Sequence, residues 1–548
     1  MNMKKYNTLT LPGILQNSVS KFSESPAYAF VGEKPMTYKE VSKNVDAVLA
    51  LLEKLDVKPG NKVGLLAANM PQWGIAYFAI ASMGAVVVPM LPDFSKVEIS
   101  NVIEHSEMVV MIASNGLIPK VSMVENKNLK HIISIEDFNL NDSESGIKFD
   151  SEAVPAAKYD VKDSDMATII YTSGTTGKSK GVMLTHKNIC FTADKSRTFQ
   201  PVVTSDRFLS VLPLSHTYEN TLGLILPMLG GACVYYLQKP PTPAILLPAL
   251  KLVRPTIMLT VPLIIEKIYR NKVLPAFNDK MATRLLYKVP ALRKKFNLLA
   301  GKKLMRTFGG ELKFFGIGGA KLNKEVEQFL IEAKFPYAIG YGLTETSPLL
   351  AGVKVGSTKL QSTGLALEGV QLKINKPGKY TGEGEIWAKG PNVMLGYYKE
   401  PGLTKEVLTD DGWFKTGDLG LFDENNYLFI RGRSKNVIIG ASGENIFPED
   451  IESVINNFKH VVESLVIQQK GKLVAMVHFN REEIEQQFQH AKEEVSHLVD
   501  NKYDELKKEL REYVNEKVNK FSKIQIVETM HEEFQKTATK KIKRFIYA

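Results

Sequence analysis

The chain has 548 residues, more than one hydrophobic core usually organises, so we expect two or more domains. Hydrophobic residues account for 44% and charged residues for 24%, which excludes a fibrous protein and a wholly disordered one. The net charge is +11, but 18 basic and 19 acidic residues follow position 433, so the positive excess lies in the larger N-terminal part. Cys190 and Cys233 lack the spacing of a zinc site and predict buried thiols in a reducing compartment.

The first predicted elements alternate between helix and strand. Apolar spacing predicts helices over 38–55 and 71–83, and short apolar runs predict strands over 62–67 and 85–90. Because this alternation is typical of parallel strands covered by helices, we predict an α/β fold. The start of the chain has neither a sustained apolar stretch nor a small-residue cleavage site, so we expect a cytoplasmic location.

A glycine- and threonine-rich loop follows the next strand. A polar stretch over 136–166 predicts an irregular connection, and a strand over 167–171 leads into YTSGTTGKSKGV at 171–182. Small residues there let backbone N–H groups approach an anion, and hydroxyls and lysines can bind it. Gly174 and Gly177 stand closer together than the glycines of a Walker loop. We predict a polyphosphate-binding loop, with a surface turn as the alternative. The predicted contacts are Thr172, Ser173, Gly174, Thr175, Thr176 and Lys178.

Two later stretches raise the question of a membrane. The charge-free stretch 220–238 contains a proline and three glycines, so we predict a buried helix, turn and strand rather than a membrane span. The stretch 281–308 holds eight Lys or Arg residues and no acid, with Leu, Phe and Met between them. It is either a peripheral contact with anionic lipid or a solvated basic face over core residues. Nucleic-acid binding is a poorer interpretation because no recognised fold motif accompanies the charge.

The C-terminal third differs from the earlier part in its predicted secondary structure. Short strands are predicted over 384–388 and 427–430, in a β-rich region. Charged helix-forming residues with spaced apolar positions over 481–521 predict one or two surface helices of a small terminal domain.

Five segments occur in order along the chain: YTSGTTGKSKGV, LPLSHTYEN, GYGLTETSP, WFKTGDLG and TATKKIKR. Together they resemble the adenylate-forming superfamily of acyl-CoA synthetases, peptide-synthetase adenylation domains and luciferases, over about 38–544. The resemblance implies a large N-terminal domain, 1–433, with parallel-rich sheets, helices and a β-rich subdomain. It also implies a small mobile α+β domain, 434–548, that carries a catalytic lysine.

The family reaction joins a carboxylate to the α-phosphate of ATP, so its site needs cations, hydrogen-bond donors and a metal to offset the repulsion between two anions. By resemblance Glu345 ligates Mg²⁺, Thr344 contacts the α-phosphate and Tyr341, followed by Gly342, stacks on adenine. A carboxylate among phosphates would repel the nucleotide without a metal, which supports the role of Glu345. The segment GIGGAKL resembles the wall shared by adenine and acyl group, with Gly318, Gly319 and Ala320.

Other residues take roles from the same resemblance. Asp418 accepts from the ribose diol, Arg433 contacts ribose and phosphate, and Lys435 matches the hinge position. Lys541 is the predicted catalytic lysine, with Lys540 as the rival, because a lysine stands where the family more often has glycine. Gly443 lies in the loop expected to serve the thiol step. His216 either lines the approach of the acyl carboxylate or packs in the core.

The segment LPLSHTYEN resembles the long-chain fatty acyl branch of the family. We therefore expect a long-chain fatty acid:CoA ligase that uses ATP, Mg²⁺ and CoA and proceeds through an acyl-adenylate. CoA is expected as an external thiol because the sequence has no nucleophilic cysteine arrangement. The alternatives are a ligase that loads an acyl carrier protein and a non-catalytic lipid- or nucleotide-binding homologue. Chain length and oligomeric state stay open.

Overall fold

The computed structural model describes residues 9–124, 126–141, 146–172, 179–278, 281–378, 381–440, 445–486, 495–537 and 541–547. Twenty-six strands are assigned within these residues, numbered here in chain order. They are β1 (Pro26–Phe30), β2 (Met36–Thr37), β3 (Lys62–Leu66), β4 (Val86–Met90), β5 (Val110–Ala113), β6 (His131–Ser134), β7 (Met166–Thr172), β8 (Lys180–Thr185), β9 (Arg207–Ser210), β10 (Cys233–Tyr236), β11 (Ile257–Thr260), β12 (Phe314–Ile317), β13 (Tyr337–Ile339), β14 (Tyr341–Gly342), β15 (Leu349–Gly352), β16 (Leu365–Ala366), β17 (Gln371–Asn375), β18 (Gly384–Lys389), β19 (Gly396–Tyr397), β20 (Phe414–Phe422), β21 (Leu428–Arg433), β22 (Ile438–Ile439), β23 (Asn445–Ile446), β24 (Val461–Gln469), β25 (Lys472–Phe479) and β26 (Ile526–Met530).

The described α-helices are numbered in the same way. They are α1 (Leu11–Phe22), α2 (Tyr38–Lys54), α3 (Pro71–Ser82), α4 (Lys96–Ser106), α5 (Ile118–Ser122), α6 (His186–Ser196), α7 (Thr217–Glu219), α8 (Leu226–Gly230), α9 (Pro243–Val253), α10 (Pro262–Ile268), α11 (Leu274–Asn278), α12 (Met281–Tyr287), α13 (Pro290–Thr307), α14 (Lys324–Glu332), α15 (Pro401–Val407), α16 (Pro448–Ile455), α17 (Arg481–Gln486) and α18 (Val495–Lys517). A π-helical segment, Asn220–Ile225, joins α7 to α8.

Two seven-stranded sheets form the framework of the large N-terminal part. The first has the order β13-β12-β11-β9-β10-β1-β2, and the second has the order β19-β8-β7-β4-β3-β5-β6. Most neighbouring strands are parallel, whereas β2, β8 and β19 pair antiparallel with their neighbours. The predicted α/β fold with parallel-rich sheets is therefore confirmed.

Helix α3 is buried between the two sheets because it is apolar on all sides. Its residues share one hydrophobic cluster with α2 and with strands of both sheets. The outer face of the first sheet is covered by α9, α10, α13 and α14, and that of the second by α4 and α5. The capping box of α2, in which Thr37 and Glu40 bond reciprocally, fixes where that helix begins.

The predicted helices and strands of the first 90 residues are confirmed to within two residues at each end. The stretch 220–238 is buried and ends in strand β10, as predicted, although its first turn is π-helical. Cys190 and Cys233 are free and buried, also as predicted. Within the charged stretch 481–521, the described residues form α17 and α18, which end at Lys517.

An antiparallel sheet, β17-β18-β20-β21, forms the β-rich region and ends at Arg433. Beyond it, the antiparallel pair β24-β25 and the parallel partner β26 form a three-stranded sheet. Two hydrophobic clusters there contain only residues from position 438 onward. A domain boundary at Ser434 remains a prediction, and these separate clusters support it.

Candidate active site

The predicted phosphate loop follows a strand of the second sheet. Strand β7 ends at Thr172, which pairs with Lys180 at the start of β8. Just before it, the hydroxyl of Tyr171 lies 2.8 Å from Nδ1 of His105. The structure therefore supports Thr172 as the residue that leads into the loop. Five other predicted contacts lie outside the described residues: Ser173, Gly174, Thr175, Thr176 and Lys178.

Small residues follow two neighbouring parallel strands of the first sheet. Gly318, Gly319 and Ala320 come directly after β12, and Gly319 has a φ of +85°, which favours glycine. After β13, a Cβ atom on Gly342 would lie only 1.7 Å from a backbone carbonyl oxygen. A Cβ atom on Gly318 would lie 3.2 Å from the ring of Tyr218. The predicted wall residues thus lie at one edge of the sheet, and the backbone is packed most tightly at Gly342.

The carboxylate of Asp418 is held on both oxygens. Only 5% of the residue is exposed, the hydroxyl of Tyr341 donates to Oδ2 at 2.7 Å, and Nε of Arg433 lies 2.7 Å from Oδ1. Burial raises the pKa of Asp418 and outweighs the opposing effect of Arg433. Burial also raises the pKa of Tyr341, so its hydroxyl stays a donor. Carboxylate oxygens have further lone pairs, so this group can still accept from the hydroxyls of a ribose.

Thr344 and Glu345 lie in a short 3₁₀ turn after β14. The hydroxyl of Tyr397 donates to Oε1 of Glu345 at 2.9 Å, and the N–H of Met394 donates to the carbonyl of Glu345 at 2.9 Å. Nζ of Lys180 lies 4.9 Å from the centre of the Tyr397 ring. The carboxylate of Glu345 is thereby fixed beside the strand that follows the phosphate loop.

The surroundings of Glu345 fit a magnesium ion that is held largely by phosphates. The residue is half-buried, so its carboxylate remains accessible from the site. Among the described residues, no group of three or more His, Cys, Asp or Glu side chains could hold a metal. Mg²⁺ commonly takes one or two carboxylates and completes its shell with phosphate oxygens and water. Glu345 would hold the ion, which would offset the repulsion between two anionic substrates.

Lys541 reaches the same place from near the end of the chain. Its charge interacts with those of Arg433, Asp418 and Glu345. The N–H of Lys541 donates to Oγ1 of Thr537 at 3.2 Å, and its carbonyl accepts from the N–H of Thr537 at 2.8 Å. The residue keeps solvent-exposed surface, although protein atoms lie around its amino group. Burial and the charge of Arg433 lower the pKa of Lys541 from its usual 10.5.

The remaining predicted residues have three different outcomes. His216 is half-buried before α7, and burial together with the charge of Lys541 lowers its pKa to about 4, so the imidazole is neutral at pH 7. The nearby charge of Lys541 favours a place at the site over packing in the core, and the role of His216 stays a prediction. Lys435 is exposed in a 3₁₀ turn after β21, and its hinge role stays a prediction. Gly443 and Lys540 lie outside the described residues.

A narrow apolar cavity of about 50 Å³ lies beside the glycine wall. Its lining includes Phe199, Tyr218, Leu259, Gly316 and Gly340. Sequence reasoning missed Tyr218 in this lining and missed the contact that Tyr397 makes with Glu345. Tyr218 stands in the quoted motif LPLSHTYEN, whereas Tyr397 stands in none of the quoted motifs, and residue spacing does not tell which aromatic ring faces the site.

Residues 15–398 match the family model described as AMP-binding enzyme. The chain belongs to the AMP-binding enzyme family. The predicted membership of the adenylate-forming superfamily is thereby confirmed, and with it the enzyme class of AMP-forming acid–thiol ligases.

Two curated relatives illustrate the branch. The Drosophila melanogaster protein named long-chain-fatty-acid–CoA ligase heimdall is 30% identical over 81% of this chain and 72% of its own length. The Arabidopsis thaliana protein named long chain acyl-CoA synthetase 6, peroxisomal, is 32% identical over 81% of this chain and 68% of its own length. These names support the predicted long-chain branch of the family.

Solved structures confirm the fold. ATP-bound MatB from Rhodopseudomonas palustris has a TM-score of 0.76 and 23% identity, with 98% of each chain covered. MenE from Bacillus subtilis, solved with ATP and a magnesium ion, has a TM-score of 0.75 and 21% identity, covering 97% of this chain and 98% of its own. At these identities the likeness concerns the fold alone.

The first test concerns Tyr397. Replacing Tyr397→Phe removes the donor to Glu345, so the Mg²⁺ concentration for half-maximal pyrophosphate release should rise on the order of tenfold, since hydrogen bonds to charged groups are among the stronger ones. A Mg²⁺ titration of acid-dependent pyrophosphate release measures this change. Tyr398→Phe is the matched control and should leave the titration unchanged. An unaltered Mg²⁺ dependence in Tyr397→Phe would show that the contact does not serve the metal.

The second test uses pH. Because burial and the charge of Arg433 lower the pKa of Lys541, its positive charge is lost at a lower pH than that of an ordinary lysine. Acid-dependent pyrophosphate release should therefore fall on the alkaline side with an apparent pKa below the usual 10.5. Lys541→Arg should move this fall to higher pH, because arginine stays protonated. Identical alkaline limbs in both proteins would assign the fall to another group.

Proposed function

We propose that this chain is a long-chain fatty acid:CoA ligase. It converts a fatty acid and MgATP to acyl-AMP and pyrophosphate, and then converts acyl-AMP and CoA to acyl-CoA and AMP. The observation that carries the proposal is that Tyr341 and Arg433 hold the carboxylate of Asp418, near enough to Lys541 and Glu345 for their charges to interact. Gly340, the residue before Tyr341, lines the apolar cavity. Cations and a metal-binding carboxylate suit the phosphates, and the cavity suits an alkyl chain.

In the first step a carboxylate oxygen of the acid attacks the α-phosphorus, and the bond to the β-phosphate oxygen breaks. Lys541 bridges the two anions and offsets the negative charge that builds on the α-phosphate. Asp418 accepts from the ribose, which sets the position of the α-phosphate. Thr344 donates to a phosphate oxygen, and the loop beginning at Thr172 binds the departing pyrophosphate. Neutral His216 can donate a hydrogen bond to the acyl carboxylate without forming an ion pair, which would make the carboxylate a weaker nucleophile.

In the second step a thiolate attacks the acyl carbon, the acyl–phosphate bond breaks and AMP leaves. The protein cannot supply this thiol from its own cysteines. Cys190 and Cys233 are buried, and burial raises the pKa of both, that of Cys233 to about 12. An external thiol is required, and CoA is the one that the names of the relatives indicate.

The lining of the cavity supports an alkyl chain as the bound group. Phe208, Leu222, Leu226 and Leu259 contribute apolar surface, and no charged side chain lines the cavity. Its volume of about 50 Å³ is far below the roughly 300–1,000 Å³ of ordinary ligand pockets, so side chains must move to admit a long acyl group. Because Phe199 packs against Gly352, we propose that this ring is one of those that move.

Two alternatives make different products. A ligase that loads an acyl carrier protein would form acyl-AMP but would transfer it to the carrier rather than to free CoA. A non-catalytic homologue would have no need to keep the charges of Asp418, Arg433 and Lys541 together, and family membership also argues against it.

The deciding experiment offers fatty acids from short to very long chains, with ATP and CoA, and measures pyrophosphate, AMP and acyl-CoA. We expect acyl-CoA from long-chain acids in wild type. Lys541→Ala should lower fatty-acid-dependent pyrophosphate release at least on the order of a hundredfold, since it removes a charge from the transition state. Lys543→Ala is the control and should stay close to wild type.

Three outcomes would contradict parts of this proposal. Wild-type rates in Lys541→Ala, together with a loss in Lys540→Ala, would transfer the catalytic role to Lys540. Acyl transfer to a carrier protein but not to CoA would favour the first alternative. Failure with every fatty acid would reject the acyl substrate class.

We also propose that α12 and α13 make peripheral contact with an anionic membrane. No helix of the described chain is long and apolar enough to cross a bilayer. Leu299 is 64% exposed on α13, and Lys295, Lys302 and Lys303 lie one turn away on the same face. Leu285 on α12 is 55% exposed. An exposed leucine surrounded by lysines suits the boundary between acyl chains and anionic headgroups.

Vesicle co-sedimentation at low salt tests the membrane contact. Lys302→Glu with Lys303→Glu should abolish binding to phosphatidylglycerol vesicles, because each basic residue near such a surface contributes about 1 kcal/mol. Lys34→Glu with Lys39→Glu changes net charge equally on another exposed surface and should bind like wild type. Loss of binding in both double variants would show only a general charge effect. No binding by wild type would reject the contact.

A further inference from the structure

Helix α16 lies at a polar interface between the large N-terminal part and the C-terminal residues. Nδ2 of Asn323 donates to the carbonyl and the hydroxyl of Ser453, at 3.0 and 3.1 Å. Lys321 pairs with Asp450, one turn earlier on α16. These contacts attach one side of α16 to the segment that follows the glycine wall.

Two further contacts extend this interface. Nζ of Lys517, at the end of α18, lies 2.6 Å from Oε1 of Glu325. Nη1 of Arg270 donates to the carbonyl of Val461 at 2.7 Å. The side chains of the large part that make these contacts therefore all belong to the layer that covers the first sheet, around α10 and α14.

The other side of α16 anchors the segment that contains Lys541. Glu452 forms an ion pair with Arg544 and accepts from the N–H of Val466 at 2.7 Å. Arg544 is three residues beyond Lys541. Ile451 on the same helix is fully buried in the small-domain core, which makes α16 a rigid connection. A displacement of α16 would therefore move Arg544 and, with it, Lys541.

Asn323 has two separate functions in this arrangement. Its Oδ1 accepts from the N–H groups of Glu325 and Val326, at 2.8 and 3.2 Å, which caps α14. Its Nδ2 makes the contacts with Ser453. The residue is 6% exposed, so loss of the Nδ2 contacts would leave a nearly buried donor or acceptor unsatisfied.

We propose that Asn323, with the Lys321–Asp450 and Glu325–Lys517 pairs, docks α16 in the orientation that holds Lys541 at the adenylation site. These are positioning residues, because they act through α16 and Arg544 and do not touch the reacting atoms. The docking serves acyl-AMP formation and is released for the thiol step. This inference rests on the proposed two-step function and on the proposed mobility after Ser434.

The strength of the contacts suits a reversible interface. The side chains of both ion pairs are partly exposed. The exposed fraction is 29% for Lys321 and 41% for Asp450 in one pair. It is 38% for Lys517 and 49% for Glu325 in the other. Exposed pairs of this kind contribute about 0–1 kcal/mol each. The interface is thus specific in geometry, yet its contacts can break during a catalytic cycle.

Asn323→Asp is the sharpest variant. Aspartate caps a helix as well as asparagine does, so α14 keeps its cap, while the donor to the carbonyl of Ser453 becomes an acceptor that faces another acceptor. We expect fatty-acid-dependent pyrophosphate release to fall on the order of tenfold. Thioester formation from synthetic acyl-AMP and CoA, measured separately, should be unchanged or faster. Asn323→Ala is less informative because it also removes the cap.

A charge exchange supplies the matched control. Lys517→Glu alone should slow pyrophosphate release, and the added Glu325→Lys should restore part of the loss by re-forming the pair with reversed polarity. Lys195→Glu with Glu368→Lys exchanges an ion pair that lies wholly within the large part and should affect neither step. Failure of the exchange to restore activity would overturn the role of this pair.

A distance measurement keeps this inference separate from the proposed substrate. Fluorescent labels on Lys39→Cys and Lys472→Cys report the orientation of the two parts without any turnover, since both native cysteines are buried. With ATP bound, Asn323→Asp should broaden or shift the distance found in wild type. An unchanged distance, or equal slowing of both steps, would overturn the docking role. Wild type that ignores every fatty acid would reject the proposed function, and the shifted distance would still support the docking.

Discussion

The carboxylate of Asp418 is the charge around which the site is arranged. A buried carboxylate is costly unless donors and a cation compensate it, and here Tyr341 and Arg433 do so from two different strands. Tyr341 begins the small sheet that follows the glycine wall, and Arg433 ends β21 next to the proposed boundary. One buried group therefore joins a residue that is proposed to bind the nucleotide to the proposed domain boundary.

Lys541 depends on the same arrangement. Arg433 repels its charge, whereas Asp418 and Glu345 attract it, so within the described part of the chain several groups act on the lysine at once. A lysine held by one strong pair would be hard to withdraw. A lysine held by several weak interactions suits the proposed docking of α16, in which it is present for one step and absent for the next.

The two large sheets explain why these groups meet. Parallel strands β12 and β13 end at one edge of the first sheet, and β7 ends at an edge of the second. Residues that follow such strands lie at the carboxyl ends of the sheet, where ligands of α/β folds usually bind. Strand β19 pairs with β8, which brings Tyr397 next to Lys180 and thereby fixes Glu345.

The sequence alone determined the elements with strong periodicity, the α/β class and the family. Helix α2 and strands β3 and β4 follow directly from apolar spacing, because local preference and burial agree there. The motifs indicated Glu345, Asp418, Arg433 and Lys541 through their resemblance to the adenylate-forming superfamily. Tertiary structure alone decided which of them touch, and it added Tyr397, Tyr218 and Asn323. The sequence separation between these residues and their partners ranges from a few positions to more than a hundred. No local pattern predicts which ring or amide contacts a distant carboxylate or helix. The physical reason is that strand pairing and helix docking, rather than residue spacing, set those distances.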